Sequence, residues 1–268
     1  MITITGINKK LSDKFSLNDI TFKLDKGVYG LLGLNGAGKT TLLRCITGLI
    51  NVDSGSIQVE GDVGYLSQKF GLFSTMKADD ALMYMADLKG VPEEERAKQI
   101  DQVLQLVNLQ DHAKKRVGKL SGGMVRRLGI AQAFLGKSEN LIFDEPTAGL
   151  DPEERLRFKS IIKNQTSEKT VLISTHIVED IEGLCEKVIV LKEGVLRFFG
   201  TIQEACALVE RNVIEIPKER VADFDIIAIV SEETRNGIIM VRALVKKQQV
   251  ENLVVPTLQD AFLYLSKT

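Results

Sequence analysis

The stretch VYGLLGLNGAGKTTLLRCITGLI, residues 28–50, narrows the possible folds more than any other part of the chain. A short apolar run fit for a buried strand leads into a glycine-rich loop and then into a helical pattern. Strand, tight loop and helix in that order open a parallel α/β sheet. Residues 33–40 within it read G-x-x-x-x-G-K-[ST]. The backbone N–H groups of such a turn converge on a phosphate, and the following helix adds the positive end of its dipole. Gly33, Leu34, Asn35, Gly36, Ala37 and Gly38 form the cradle, and Thr41 follows in the first helical turn. Lys39 is placed to neutralise the β- and γ-phosphates of a nucleoside triphosphate, and Thr40 to hold Mg²⁺ through its hydroxyl.

Three further apolar runs end in polar groups. LIFDEP, residues 141–146, sets Asp144 and Glu145 at the end of a buried strand, where open α/β sheets bind ligands. Asp144 is suited to Mg²⁺, directly or through water, and Glu145 to polarising an attacking water. VLISTH, residues 171–176, ends in His176, a group that can sense a γ-phosphate. YLSQ ends at Gln68, whose amide can contact Mg²⁺ or the attacking water. Beyond it, Phe70, Leu72, Phe73 and Met76 either dock a partner or tuck against the next segment. His112, in QDHAKKR, reads as solvated.

The rest of the chain arranges itself around these motifs. Residues 1–30 are β-rich, and GSIQVEGDVGYL suggests two short strands. Residues 75–119 turn helical: Pro92 with Glu93, Glu94 and Glu95 suits a helix start, and Ile100, Val103, Leu104 and Val107 form a stripe. This block interrupts the α/β alternation, and Met83, Tyr84 and Met85 are expected in its core. VIVL and VLRFF, joined by Lys192-Glu193-Gly194, form a hairpin. In the tail, NVIEI and GIIMVRALV suggest strands. TLQDAFLYLS suggests a last helix with Thr257 and Asp260 as a capping box and Leu258, Ala261, Phe262 and Leu265 on its apolar face.

Composition excludes several classes. Formal net charge is −1 and the pI about 6.2, which gives no electrostatic case for nucleic acid as the main partner. Cys45, Cys185 and Cys206 show no metal spacing and read as reduced thiols. The N-terminus lacks the pattern of a signal peptide, and no apolar run approaches the ~20 residues of a membrane span. A membrane role would therefore run through a partner at its inner, cytoplasmic face.

LSGGMVRRLGIAQAFL, residues 120–135, is a helical pattern with Leu128, Ala131 and Leu135 on one side and two glycines at its mouth. Glycine costs about 1 kcal/mol relative to alanine inside a helix, so two in the first turn need a reason. LSGGM stands between GLNGAGKT and LIFDEP, and AGLD and STH follow in order. Residues 1–200 thereby resemble the nucleotide-binding subunits of ABC transporters. The resemblance implies a P-loop NTPase core with a mixed sheet, an N-terminal antiparallel β subdomain and a helical subdomain inserted at about 69–125. Residues 201–268 would form a small α+β extension. It implies that Ser121, Gly122 and Gly123 read ATP held by a second copy, since glycines let bare N–H groups approach its γ-phosphate. Asp151, in AGLD, would cross the same interface. Each site would thus combine the phosphate loop, Gln68, Asp144, Glu145 and His176 of one chain with the LSGGM helix of the other, in a homodimer or heterodimer. ATP with Mg²⁺ would be hydrolysed to drive a transmembrane permease subunit.

Two departures stand out. The family stacks an aromatic residue on adenine; counting back from LNDITF gives Leu11 at that place, with Phe15 the nearest aromatic. If neither stacks, GTP should serve nearly as well. The signature also ends in Met124 in place of glutamine. The tail and the Arg126-Arg127 pair resemble bacterial export-type subunits, although the tail could simply cover a sheet edge. A soluble ATPase of this class, for example in iron–sulfur assembly, and a nucleotide-gated module with little turnover remain as alternatives.

Overall fold

A computed structural model describes residues 1–13, 15–71, 74–166, 168–246 and 252–268. Strands β1 (Ile2–Ser12) and β2 (Phe15–Leu24) pair antiparallel, followed by β3 (Gly27–Leu32) and helix α1 (Lys39–Ile46). Next come β4 (Ser54–Val59) and β5 (Val63–Leu66), then three helices: α2 (Ala78–Leu88), α3 (Glu93–Leu106) and α4 (Gly122–Ala133). Alternation resumes with β6 (Asn140–Asp144), α5 (Pro152–Gln165) and β7 (Thr170–Thr175), and the hairpin β8 (Lys187–Lys192) and β9 (Val195–Thr201) follows. The tail contains α6 (Ile202–Ala207), β10 (Val213–Pro217), β11 (Ile226–Arg235), β12 (Ile238–Val245) and α7 (Leu258–Lys267).

Strands β4-β1-β2-β9-β8-β3-β7-β6-β5 lie side by side in one mixed sheet. Its antiparallel end is the N-terminal β region, and its parallel end, β3, β7, β6 and β5, carries the site. Every residue of β6 and β7 is buried, as continuous apolar runs in a parallel sheet require. Because β3, β6 and β7 run parallel, the loop after Leu32, the acids after Phe143 and His176 emerge along one sheet edge.

The helical insert buries Ala78, Ala81, Leu82 and Ala86 of α2 against Ile100, Val103 and Leu104 of α3 and Leu128 and Ala131 of α4. The expectation for Met83 and Tyr84 fails: they are 40% and 44% exposed, and only Met85 packs on the core. The apolar residues at 78, 81, 82 and 86 define the inward stripe of α2, which turns positions 83 and 84 outward.

The tail forms a second antiparallel sheet, β10-β12-β11, closed by Asn236-Gly237 with both residues at positive φ. The capping box of α7 forms as expected, and Leu258, Ala261, Phe262 and Leu265 join the main core. The helix packs on β8 and β11, whereas the edges of the large sheet are β4 and β5. It therefore packs on an inner strand of the large sheet and on the edge strand of the small one. Strand β11 and helix α6 have no counterpart in the sequence reading, although Asn236-Gly237 is a strong hairpin signal.

Candidate active site

The loop after β3 is a close-packed turn. Gly33 has no room for a side chain: a Cβ there would come within 2.8 Å of Ala37 Cβ and Leu191 O. Gly38 sits at φ +104, and a Cβ would meet Phe15 Cζ at 2.7 Å. The hairpin between β8 and β9 supports the loop from behind, where Gly194 N–H donates to Ala37 O at 2.9 Å. Lys39 opens α1 and is only 6% exposed; its Nζ donates to Gly33 O at 2.6 Å and Leu34 O at 3.4 Å. The ammonium therefore lies at the centre of the cradle. Phe15, residues 34–41, Gln68 and Glu145 line one cleft of about 500 Å³ here.

The acids behind the cleft occupy different environments. Asp144 is fully buried, and its Oδ1 accepts a hydrogen bond from Ser174 Oγ at 2.6 Å. Its Oδ2 is buried with no hydrogen-bond partner. Glu145 is 4% exposed and adopts φ +50, a left-handed backbone that disfavours side chains other than glycine by about 1–2 kcal/mol. Such backbones cluster at functional sites. The Glu145 carboxylate lies 3.3 Å from Lys39 Nζ and 3.0 Å from His176 Nδ1. Lys39, Glu145 and His176, far apart in sequence, thus form one contiguous cluster, with the histidine ring 41% exposed at its rim.

Phe15 also borders a second cleft of about 780 Å³, shared with Lys9, Lys10, Ser12, Asn18 and Gly36. Leu11 lines neither cleft and is 51% exposed. Its neighbours Lys9, Lys10 and Ser12 line the second cleft, where β1 is irregular in register. Of the two residues considered for the base, Phe15 lines the clefts and Leu11 does not.

Ser121, Gly122, Gly123 and Asp151 line neither of these clefts. Ser121 is the exposed N-cap of α4 and accepts from Met124 N–H at 3.3 Å. Asp151 is the exposed N-cap of α5 and accepts from Glu154 N–H at 2.9 Å. A Cβ on Gly122 would meet nothing within 4 Å, and one on Gly123 would reach only Leu150 at 3.6 Å. Leu72 and Phe73 lie outside the described residues, while Phe70 and Met76 pack partly buried against the main core.

Comparison with known proteins agrees with this geometry. The ABC transporter family matches residues 17–148. The linearmycin resistance ATP-binding protein LnrL of Bacillus subtilis is 35% identical over 222 residues, covering 77% of this chain and 71% of LnrL. The bacitracin transport ATP-binding protein BcrA of Bacillus licheniformis is 36% identical over 211 residues, covering 73% of this chain and 68% of BcrA. The chain belongs to the ATP-binding subunits of ABC transporters. A solved ATP-binding subunit of an ABC transporter superposes on this one with a TM-score of 0.71 at 25% identity, over 78% of this chain and 92% of that one. The fold is thus that of an ABC ATPase, and ATP is its substrate.

Sequence reasoning missed several residues that shape this ABC subunit. Ser174 bonds Asp144 through its hydroxyl, and both its O and Oγ accept from Glu145 N–H at 3.1 Å. Buried Asp180 accepts from Thr147 Oγ1, from Thr175 Oγ1 at 3.4 Å, and faces Arg155 Nη1 at 3.5 Å. It ties the chain leading to Asp151 to the strand end that carries His176. Arg126 is 8% exposed on α4; burial pulls its guanidinium below the ordinary range, and the charges of Asp144 and Glu145 oppose that fall. Its burial shows only in the fold, since its partners are all main-chain carbonyls.

Proposed function

We propose that this ABC ATPase works as the motor subunit of an exporter, with two ATP molecules held between two copies or close relatives. The observation that carries the two-copy reading is the mouth of α4. Its N-cap and first residue are exposed, lie outside the chain's own phosphate cleft, and have glycines where this chain leaves room for a side chain. Leaving space unfilled makes sense if a phosphate from outside the chain fills it, met by bare N–H groups and the helix dipole.

In that arrangement the phosphate loop and Lys39 hold the β- and γ-phosphates. Phosphoryl transfer to water depends mostly on positioning and charge stabilisation. Glu145 accepts a proton from the attacking water as its oxygen bonds the γ-phosphorus and the bond from that phosphorus to the bridging oxygen breaks, releasing ADP; Gln68 helps to orient that water. His176, already against Glu145, holds the γ-phosphoryl oxygens. Ser121 and Gly123 of the facing copy close the site, and Asp151 orders the interface. The residues present fit a hard cation: Asp144, next to Glu145 of the cleft, keeps one buried carboxylate oxygen unpaired, and Thr40 and Gln68 line the cleft. Thr40, Asp144 and Gln68 would hold Mg²⁺, which when bound neutralises phosphate charge. Phe15, between the two clefts, is placed to stack on the base.

Relatives named for linearmycin resistance and bacitracin transport favour export over a soluble ATPase. No helix among the described residues is long and apolar enough to cross a membrane. A separate transmembrane permease would therefore supply the path, with this subunit at the cytoplasmic face. The test of the composite site is Glu145→Gln, which should bind ATP without turnover and accumulate as a dimer. A gel-filtration profile unchanged by ATP with Mg²⁺ would refute it.

A further inference from the structure

Arg126 lies one turn along α4 from Gly122 and is buried. Its Nε donates to Pro146 O at 3.0 Å, and its Nη1 to Ser67 O at 2.9 Å and Gln68 O at 3.0 Å. Its Nη2 donates to Asp144 O at 2.6 Å and Glu145 O at 2.5 Å. A guanidinium has five N–H donors in a rigid fork, and here each meets a main-chain carbonyl.

The acceptors belong to two neighbouring strand ends. Strands β5 and β6 are paired as far as Leu66 and Phe143. Beyond that pair, Ser67-Gln68 and Asp144-Glu145-Pro146 leave the ladder, and the Arg126 guanidinium bridges them. On its other side Glu145 is held through its N–H by Ser174. A left-handed glutamate persists only where its surroundings over-determine it, and Arg126 supplies one of the two clamps. The phosphate loop is supported separately, by β3 and by the Gly194 contact to Ala37.

We infer that Arg126 is a positioning residue for hydrolysis: by bridging the two strand ends it sets Gln68 and Glu145 relative to each other, so turnover depends on it while nucleotide capture does not. The inference rests on the reading of Gln68 and Glu145 as the groups that handle the attacking water. A buried cation whose only task was to satisfy otherwise unpaired carbonyls would affect folding, and with it binding and turnover in equal measure.

The test compares wild type, Arg126→Lys and Arg126→Met, with Arg127→Met as a neighbour on the same helix. Arg127 bonds Val107 O and Asn108 O and pairs with Glu154, away from the cleft. Lysine keeps the charge but not the fork, so Arg126→Lys remains informative if Arg126→Met does not fold. Affinity is read with a fluorescent ATP analogue, kcat from phosphate release, and folded fraction from thermal melts. Arg126→Lys should keep Kd within about twofold and lose about a hundredfold in kcat, the penalty of misplacing catalytic groups by about 1 Å. Arg127→Met should keep its kcat within about twofold. Wild-type kcat in Arg126→Lys, or parallel losses of Kd and kcat that track the folded fraction, would overturn the inference. An inactive wild type with intact ATP binding would overturn the ATPase reading instead, and the inference with it.

Discussion

Alanine at Gly122 or Gly123 should make the isolated chain more stable and the enzyme less active. Both residues lie in the first turn of α4 with ordinary helical backbone, since neither is among the residues at positive φ. The added methyl of Gly122→Ala meets open space, and that of Gly123→Ala gains an ordinary contact with Leu150 at 3.6 Å. Within this chain the substitution therefore only removes backbone entropy from the unfolded state, worth about 0.5–1 kcal/mol. For a domain of this size that raises the melting temperature by roughly 1–4 °C. Against the facing nucleotide the same methyl blocks the approach of charge-assisted N–H donors, each worth about 1.5–3 kcal/mol. ATPase activity should fall at least about tenfold, as should ATP-dependent dimerisation in a Glu145→Gln background. Calorimetry without nucleotide and phosphate release with it read the two signs. Ser121→Ala provides a contrast, because Ser121 also caps α4 and its loss should cost about 1 kcal/mol of stability. A destabilised Gly122→Ala, or one with full turnover, would show that the glycine answers to its own chain and that nothing approaches it from outside.

Other outcomes test the remaining assignments. Lys39→Ala should abolish measurable nucleotide binding or turnover, because the ammonium at the centre of the cradle is lost; normal activity would rule out the phosphate-loop assignment. Phe15→Ala should weaken ATP binding about tenfold, within the roughly 1–3 kcal/mol of a base stack, while Leu11→Ala leaves it unchanged in the same titration. Equal affinities for Phe15→Ala and wild type would remove Phe15 from the site. Lys89 donates to the carbonyls of Gln132 and Leu135 at the end of α4, and burial lowers its pKa to about 8. A base depressed in the folded state binds fewer protons there than in the unfolded chain. Stability relative to Lys89→Met should therefore rise between about pH 8 and the unfolded lysine value near 10.4. A difference flat across that window in urea titrations would contradict it.

What the sequence determined alone was local: which residues stand at the ends of buried strands, and which loop can cradle a phosphate. Period and motif are enough for that, because a glycine-rich turn between strand and helix, or acids closing an apolar run, carry their chemistry within a few residues. The α7 capping box and the β8–β9 hairpin belong to the same class. Tertiary structure decided everything that depends on distance through space. It placed Phe15 rather than Leu11 at the cleft, since a count along β1 does not reveal which way a strand residue points. It turned Met83 and Tyr84 outward and packed α7 between β8 and β11. It also brought Arg126 onto the carbonyls of Gln68 and Glu145, a contact between residues 58 and 19 positions apart. Main-chain carbonyls leave no mark in a sequence, so a side chain whose partners are all backbone becomes visible only when the chain has folded around it.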